Sequence, residues 1–262
     1  MSNIIRCKFP DGVRRFPMFT ISDYRDLLML RADIELHSKE EQEELMEEIL
    51  ETYFPDVESN YREYVFCAVF LSSIGNTIIP MIVNCPICKK PITVRGNFDH
   101  TGLSNIRVKT KYGISLLIKF PSDKNVDIID YVEKNILEVS DSENTYKWEN
   151  LNDKEKDAIF SIIDKDIIQE IIKKSRPINF NIKTRCCDEE INIEFNDILS
   201  LFKIFMHPQE LINFYTVNHR MISYNYDLNS IMSMLPIERN ISLALIEDDL
   251  KKQAAARNKN EQ

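Results

Sequence analysis

Two places in the sequence carry side chains that can do metal chemistry. "VNCPICKKPITVRG", residues 83–96, holds Cys85 and Cys88, and "KTRCCDEEINIEF", residues 183–195, holds the adjacent pair Cys186 and Cys187. Thiolates bind zinc well because the ion lowers their pKa, and a structural zinc takes four ligands in a tetrahedral shell. One CxxC is half of such a set. The second pair matches it in context: each pair follows a strand-like run ("PMIVN", "INFNIKTR") and precedes another ("KPITVRG", "DEEINIEF"). In zinc ribbons each cysteine pair sits on a turn between two strands and the ion links the turns. The expected ligands are therefore Cys85, Cys88, Cys186 and Cys187 around a structural Zn2+. Adjacent residues on a strand point to opposite faces, so Cys186 and Cys187 both reach one ion only if the turn bends sharply, and His100 is the substitute fourth ligand. Two readings compete with zinc. One is a chance motif without metal. The other is a redox pair, which would open a helix, whereas Lys89, Lys90 and Pro91 lead into a strand. Cys7 and Cys67 are solitary, and Cys67, in an apolar helix, reads as a small buried hydrophobe.

No other constellation points to catalysis. The chain of 262 residues has a net charge of −9, which argues against a nucleic-acid binder needing a basic footprint. Five glycines are few for phosphate-cradling loops, and neither GxGxxG nor GxxxxGK[ST] occurs. HExxH and GxSxG are also absent. His207 and His219 stand apart from any nucleophile, and runs such as "EEQEELMEE" read as solvated helix faces. "RVKTK" places Arg107, Lys109 and Lys111 on one strand face, a common guard for a sheet edge. The opening "MSNIIRCKFPDGVRRF" has no signal-peptide core, and no run reaches the about 20 apolar residues of a spanning helix. The expectation is a soluble, cytoplasmic, non-enzymatic protein with no nucleic-acid or membrane partner. Its cysteines then serve as ligands or buried thiols rather than disulfides.

The elements that must position the cysteines follow from periodicity. Residues 1–20 read as an extended lead-in or short hairpin. "TISDYRDLLMLRADIEL", "SKEEQEELMEEILETYF" and "SNYREYVFCAVFLSSIG" read as helices, the first capped by Thr20 or Ser22 and the second ended by Pro55. From 76 on, β-branched runs predict one small antiparallel sheet, interrupted at about 124–176 by an acidic, isoleucine-rich helical insertion. Residues 197–262 turn helical again, with Pro208 and Pro236 placed to open helices. The predicted fold class is α+β and mostly helical. A 1–75 lead-in with helices, a zinc-stapled β unit over 76–196 and a C-terminal helical region over 197–262 make up the chain. Phe202, Phe205, Phe214, Tyr215, Tyr224 and Tyr226, with Met206, Met221, Met232 and Met234, read as core or as an adaptable partner face.

Three stretches together resemble a known family: the opening "KFPDGVRRFPMFTISDYRDLLML", the "NCPICKKPITV" knuckle with its later cysteine pair, and the C-terminal "YDLNSIMSMLPIERNISLALIEDDLKK". They are similar to the baseplate hub assembly proteins of T-even-type tailed bacteriophages. The resemblance implies a non-enzymatic part in building the central hub of the baseplate, as hub subunit or assembly chaperone. It implies contacts with baseplate hub and tape-measure proteins, in the host cytoplasm, with retention in the virion baseplate as a further expectation. It also marks Met234, Pro236, Glu238 and Arg239 as a partner-binding element. The alternative is a zinc-ribbon adaptor for transcription or replication machinery, supported by Lys89, Lys90 and Arg95 beside the knuckle.

Overall fold

Short local signals set most element boundaries. In the computed structural model, which describes residues 3–260, the lead-in closes into a hairpin of β1 (Ile4–Phe9) and β2 (Gly12–Pro17). α1 (Ile21–Ile34) starts at Thr20, whose hydroxyl accepts from the Asp23 N–H while the Asp23 carboxylate accepts from the Thr20 N–H. Ser38 and Glu41 make the same capping box for α2 (Lys39–Tyr53). α3 (Arg62–Ile74) is apolar on nearly every side, as suits a helix at the centre of a core. It ends at Gly75, φ 69°, where a Cβ would overlap the Ile237 side chain, so both conformation and space call for glycine.

The β region differs from the one sheet expected. Among the described residues β3 (Ile78–Asn84) pairs only with β4 (Pro91–Asn97), and β9 (Phe180–Cys186) only with β10 (Glu189–Phe195), each pair antiparallel. β5 (Ile106–Lys109) and β6 (Ser115–Ile118) instead join β7 (Ile136–Ser140) and β8 (Thr145–Lys147) in a separate sheet of order β5-β6-β7-β8. The insertion expected to be helical therefore carries β7 and β8 between α4 (Ile128–Asn135) and α5 (Asp153–Ser161), with α6 (Lys165–Lys174) following. Its isoleucines at helical spacing hid "ILEVS", which buries Ile136 and Val139 against β6. β5 is an edge strand, and Lys111 beyond it pairs with Asp164 and Asp166 ahead of and within α6.

Four helices finish the chain: α7 (Ile198–Phe205), α8 (Gln209–Ser223), α9 (Leu228–Ser233) and α10 (Pro236–Asn260). About half of the chain is helical, less than the predicted majority; over 124–176, β7, β8 and the connections around them stand where helix was expected. No helix of the described residues is long and apolar enough to cross a membrane.

The core matters here for what it anchors. A run of rings leads from α3 through α7 to the two hairpins. Phe66 stacks on Phe70, and Phe70 lies 5.0 Å from Phe205. Phe205 in turn meets Phe98 edge-on at 5.3 Å. Phe98, fully buried after β4, also touches Phe180 at 5.2 Å and Phe195 at 5.9 Å, which face each other at the open end of the β9–β10 pair. Phe98 thus plugs the base of both hairpins. Above it the inner faces meet through Met81, Val94 and Ile182, all buried. Gly96 lies between them, and a Cβ there would overlap Ile182 Cδ1 and Met81 Cε. A glycine inside a strand marks such close approach of two layers.

Candidate metal centre

The two hairpins bring their tips together, and the tips carry the four cysteines. Cys85 directly follows β3 and is fully buried. Its N–H donates to the Lys90 carbonyl at 2.9 Å, and its carbonyl accepts from the Lys89 N–H at 2.9 Å, which curls "CPICKK" into a knuckle. Lys89 sits in the left-handed region at φ 60°, letting the chain leave Cys88 and turn into β4.

The opposite tip answers the objection raised by adjacent cysteines. Cys186 is the last residue of β9, but Cys187 is no longer in a strand. Cys187 (φ 56°) and Asp188 (φ 62°) form a two-residue turn with both φ values positive, the arrangement of a type I′ hairpin. That bend turns the Cys187 side chain back to the side of Cys186. Asp tolerates the left-handed region, but a cysteine there is unusual, and such strain gathers at functional positions.

The four Sγ atoms all lie within 4.8 Å of one another. Cys88 Sγ is 3.8 Å from Cys186 Sγ, and Cys186 Sγ is 3.7 Å from Cys187 Sγ. Four sulfurs about 2.3 Å from a tetrahedral ion stand about 3.8 Å apart. All six cysteines are free thiols. The cluster thus has the donor type, number and spacing of a metal site.

Electrostatics point the same way. The Lys90 backbone N–H, followed by the Cys187 thiol, lowers the Cys88 pKa to about 7. Cys187 is pushed up to about 12, chiefly by hydrogen bonds with Cys88 and Cys186, and Cys186 is raised chiefly by Cys85. Thiolates this close resist joint ionisation unless a cation sits among them, and a divalent ion reverses that repulsion.

His100 lies outside the cluster. Its Nδ1 accepts from the Gly102 N–H at 2.9 Å, and its ring packs 4.7 Å from that of Tyr64. Burial lowers its pKa, so it is held neutral as a packing group. Gly96, where the two hairpins approach closely, shows in the sequence only as a lone glycine among β-branched residues.

The C-terminal quartet forms a junction. The Met234 carbonyl accepts from the Ile21 N–H at 2.8 Å, capping α1. Pro236 opens α10, and the Glu238 carboxylate accepts from the Leu235 N–H at 2.9 Å. Arg239, only 7% exposed, donates to Asn218 Oδ1 at 3.2 Å and lies over the Phe214 and Tyr24 rings at 5.2 and 6.0 Å. Of the four, Glu238 alone is exposed. In the aromatic and methionine stripe, Phe202, Phe205, Met206, Phe214 and Met221 are core, while Tyr215 and Tyr224 are exposed.

A family model described as T4 bacteriophage base plate protein matches residues 1–203, which include both hairpins. The chain belongs to that family. A second model, the baseplate hub assembly protein Gp51 C-terminal domain, matches residues 205–251, from the end of α7 into α10. No curated protein and no solved structure matches the chain. The boundary between the two matches falls at Ile204, beside the Phe205 ring on which the hairpin base rests. The first match thus contains the thiol cluster, and the second contains Met234, Pro236, Glu238 and Arg239.

Proposed function

We propose that this chain acts without catalysis in assembling the baseplate hub of a tailed phage, through contacts with hub and tape-measure proteins. What carries the reading is the pair of family matches, one to base plate proteins and one to a hub-assembly domain, together spanning nearly the whole chain. On this reading the protein works in the host cytoplasm and remains with the baseplate as a hub subunit or leaves it as a chaperone. Cys85, Cys88, Cys186 and Cys187 hold a structural Zn2+ that fixes the two hairpins tip to tip. The ion adds a cross-link where two-stranded units alone are marginal. Within the quartet at the C-terminal junction, Glu238 and half-buried Met234 are the residues placed to meet a partner, while Arg239 holds α10 to α1 and α8.

Co-expression with the hub and tape-measure proteins tests the role. Recovery of a stoichiometric complex, lost when the gene's product is omitted, is the expected result. Normal hubs formed without the chain would overturn the reading. The second reading, a zinc-ribbon adaptor for transcription or replication machinery, draws on the exposure of Lys89, Lys90 and Arg95, and capture of a polymerase subunit instead of hub proteins would favour it.

A further inference from the structure

The β3–β4 hairpin carries an outer face that its twin does not. Side chains alternate along a strand, so one face of each hairpin packs inward and the other looks out. On β9–β10 the outward positions are Asn181, Lys183 and Arg185 opposite Glu194, Asn192 and Glu190, with a Lys183–Glu190 ion pair at 3.1 Å. All six are polar. On β3–β4 the outward positions of β3 are Ile78, Pro80 and Ile82, opposite Asn97, Arg95 and Thr93 of β4, and Ile87 continues the aliphatic row onto the knuckle. Ile78 and Ile87 are each 49% exposed and Ile82 72%. An aliphatic row on an otherwise ordinary surface marks an interface.

Charge decides what covers it. Residues 76–98 contain Lys89, Lys90 and Arg95 and no acidic residue, in a chain of net charge −9. All three cations are exposed and, among the described residues, none is in an ion pair. The complementary surface is on the same chain. Glu40, Glu44 and Glu48 recur every four residues on α2, exposed and with no salt bridge among the described residues, while Glu43, Glu47 and Glu51 are paired with Lys39, Lys124 and Arg62. Like charges at that spacing destabilise a helix by a few tenths of a kcal/mol per pair. At the N-terminal end of this ridge stands Leu36, 82% exposed.

We propose that a second copy of this chain covers the face, the β3–β4 hairpin of each copy lying on the α2 ridge of the other. Reciprocal docking about a two-fold axis closes the pair. The metal keeps the hairpin in shape for docking, and in that respect alone the proposal rests on the zinc reading above.

Sedimentation velocity on the full-length, metal-loaded chain tests it. From micromolar to submillimolar concentration the mass should rise toward twice that of one chain and fall back with added salt. Ile82→Asp should weaken association at least about tenfold, the loss expected of a buried interface anchor. Lys90→Glu/Arg95→Glu and Glu44→Lys/Glu48→Lys should each be monomeric alone, yet associate when mixed, because each then offers what the other lacks. A chain that stays monomeric throughout, association that Ile82→Asp leaves unchanged, or charge-reversed variants that fail to pair when mixed would each overturn the proposal. A monomer whose Ile82→Asp form drops out of the co-expressed hub complex would assign the face to a different protein, with the assembly role standing. Zinc content measured on the same samples separates loss of docking from loss of the metal.

Discussion

The β3–β4 and β9–β10 hairpins are close to twins on the inside and unlike on the outside. Each has two seven-residue strands, each contributes two thiols from its tip, and each is closed at its base by Phe98. Their turns differ. One is a six-residue knuckle shaped by Cys85 and Lys89; the other is a two-residue turn that strains Cys187 into the left-handed region. Their outer faces differ more: β3 carries an exposed aliphatic row opposite polar residues of β4, whereas both strands of β9–β10 are polar. The tips and inner faces are alike because four sulfurs must meet at one point and two thin layers must pack. Neither requirement reaches the outer surface, so each hairpin's outside is free to record a separate use.

The account predicts that the two hairpins stand or fall together from within and separate only from without. The largest effect should come from removing the metal. Chelation, or Cys88→Ser, should cost at least about 4 kcal/mol of stability relative to free zinc at a thousandfold its Kd, read as a fall in Tm, with new protease cuts at both tips. Phe98→Ala should follow at about 3 kcal/mol in urea unfolding, because it empties the base that both hairpins share. Gly96→Ala should cost about 1–2 kcal/mol, and Ile182→Val should recover part of that by making room for the methyl. Asp188→Gly should be neutral or add up to about 1 kcal/mol, since glycine enters the left-handed region freely. Finally, Ile82→Asp and Lys183→Ala should each leave stability within about 0.5 kcal/mol of the parent, as exposed substitutions do. Equal stability with unequal effect on association would sharpen the contrast between the outer faces; equal behaviour in both would break it.

The sequence made local features readable and hid the ones that depend on distant partners. Thr20, Pro236 and the CxxC between strand runs announced helix starts and a knuckle because each acts within a few residues. That Cys186 and Cys187 lie near Cys85 and Cys88 was legible from their matching strand–turn–strand settings. How both could face one point was not, because the answer is a backbone angle at Cys187. Strand partnership was equally hidden. "ILEVS" carries apolar residues that fit a helix as well as a strand, and only pairing with β6 decides. His100 looked like a spare ligand in the sequence, but Tyr64 and Gly102, distant and adjacent respectively, hold it away from the tips. The stretch 234–239, expected to meet a partner, shows the same limit: burial of Arg239 depends on Tyr24 and Phe214, far from it in sequence.

The most direct test of the central claim is X-ray absorption at the zinc edge, on protein purified without added metal. The account predicts one zinc per chain with four sulfur neighbours at about 2.3 Å. A chain without metal, or a shell in which nitrogen or oxygen replaces a sulfur, would contradict it.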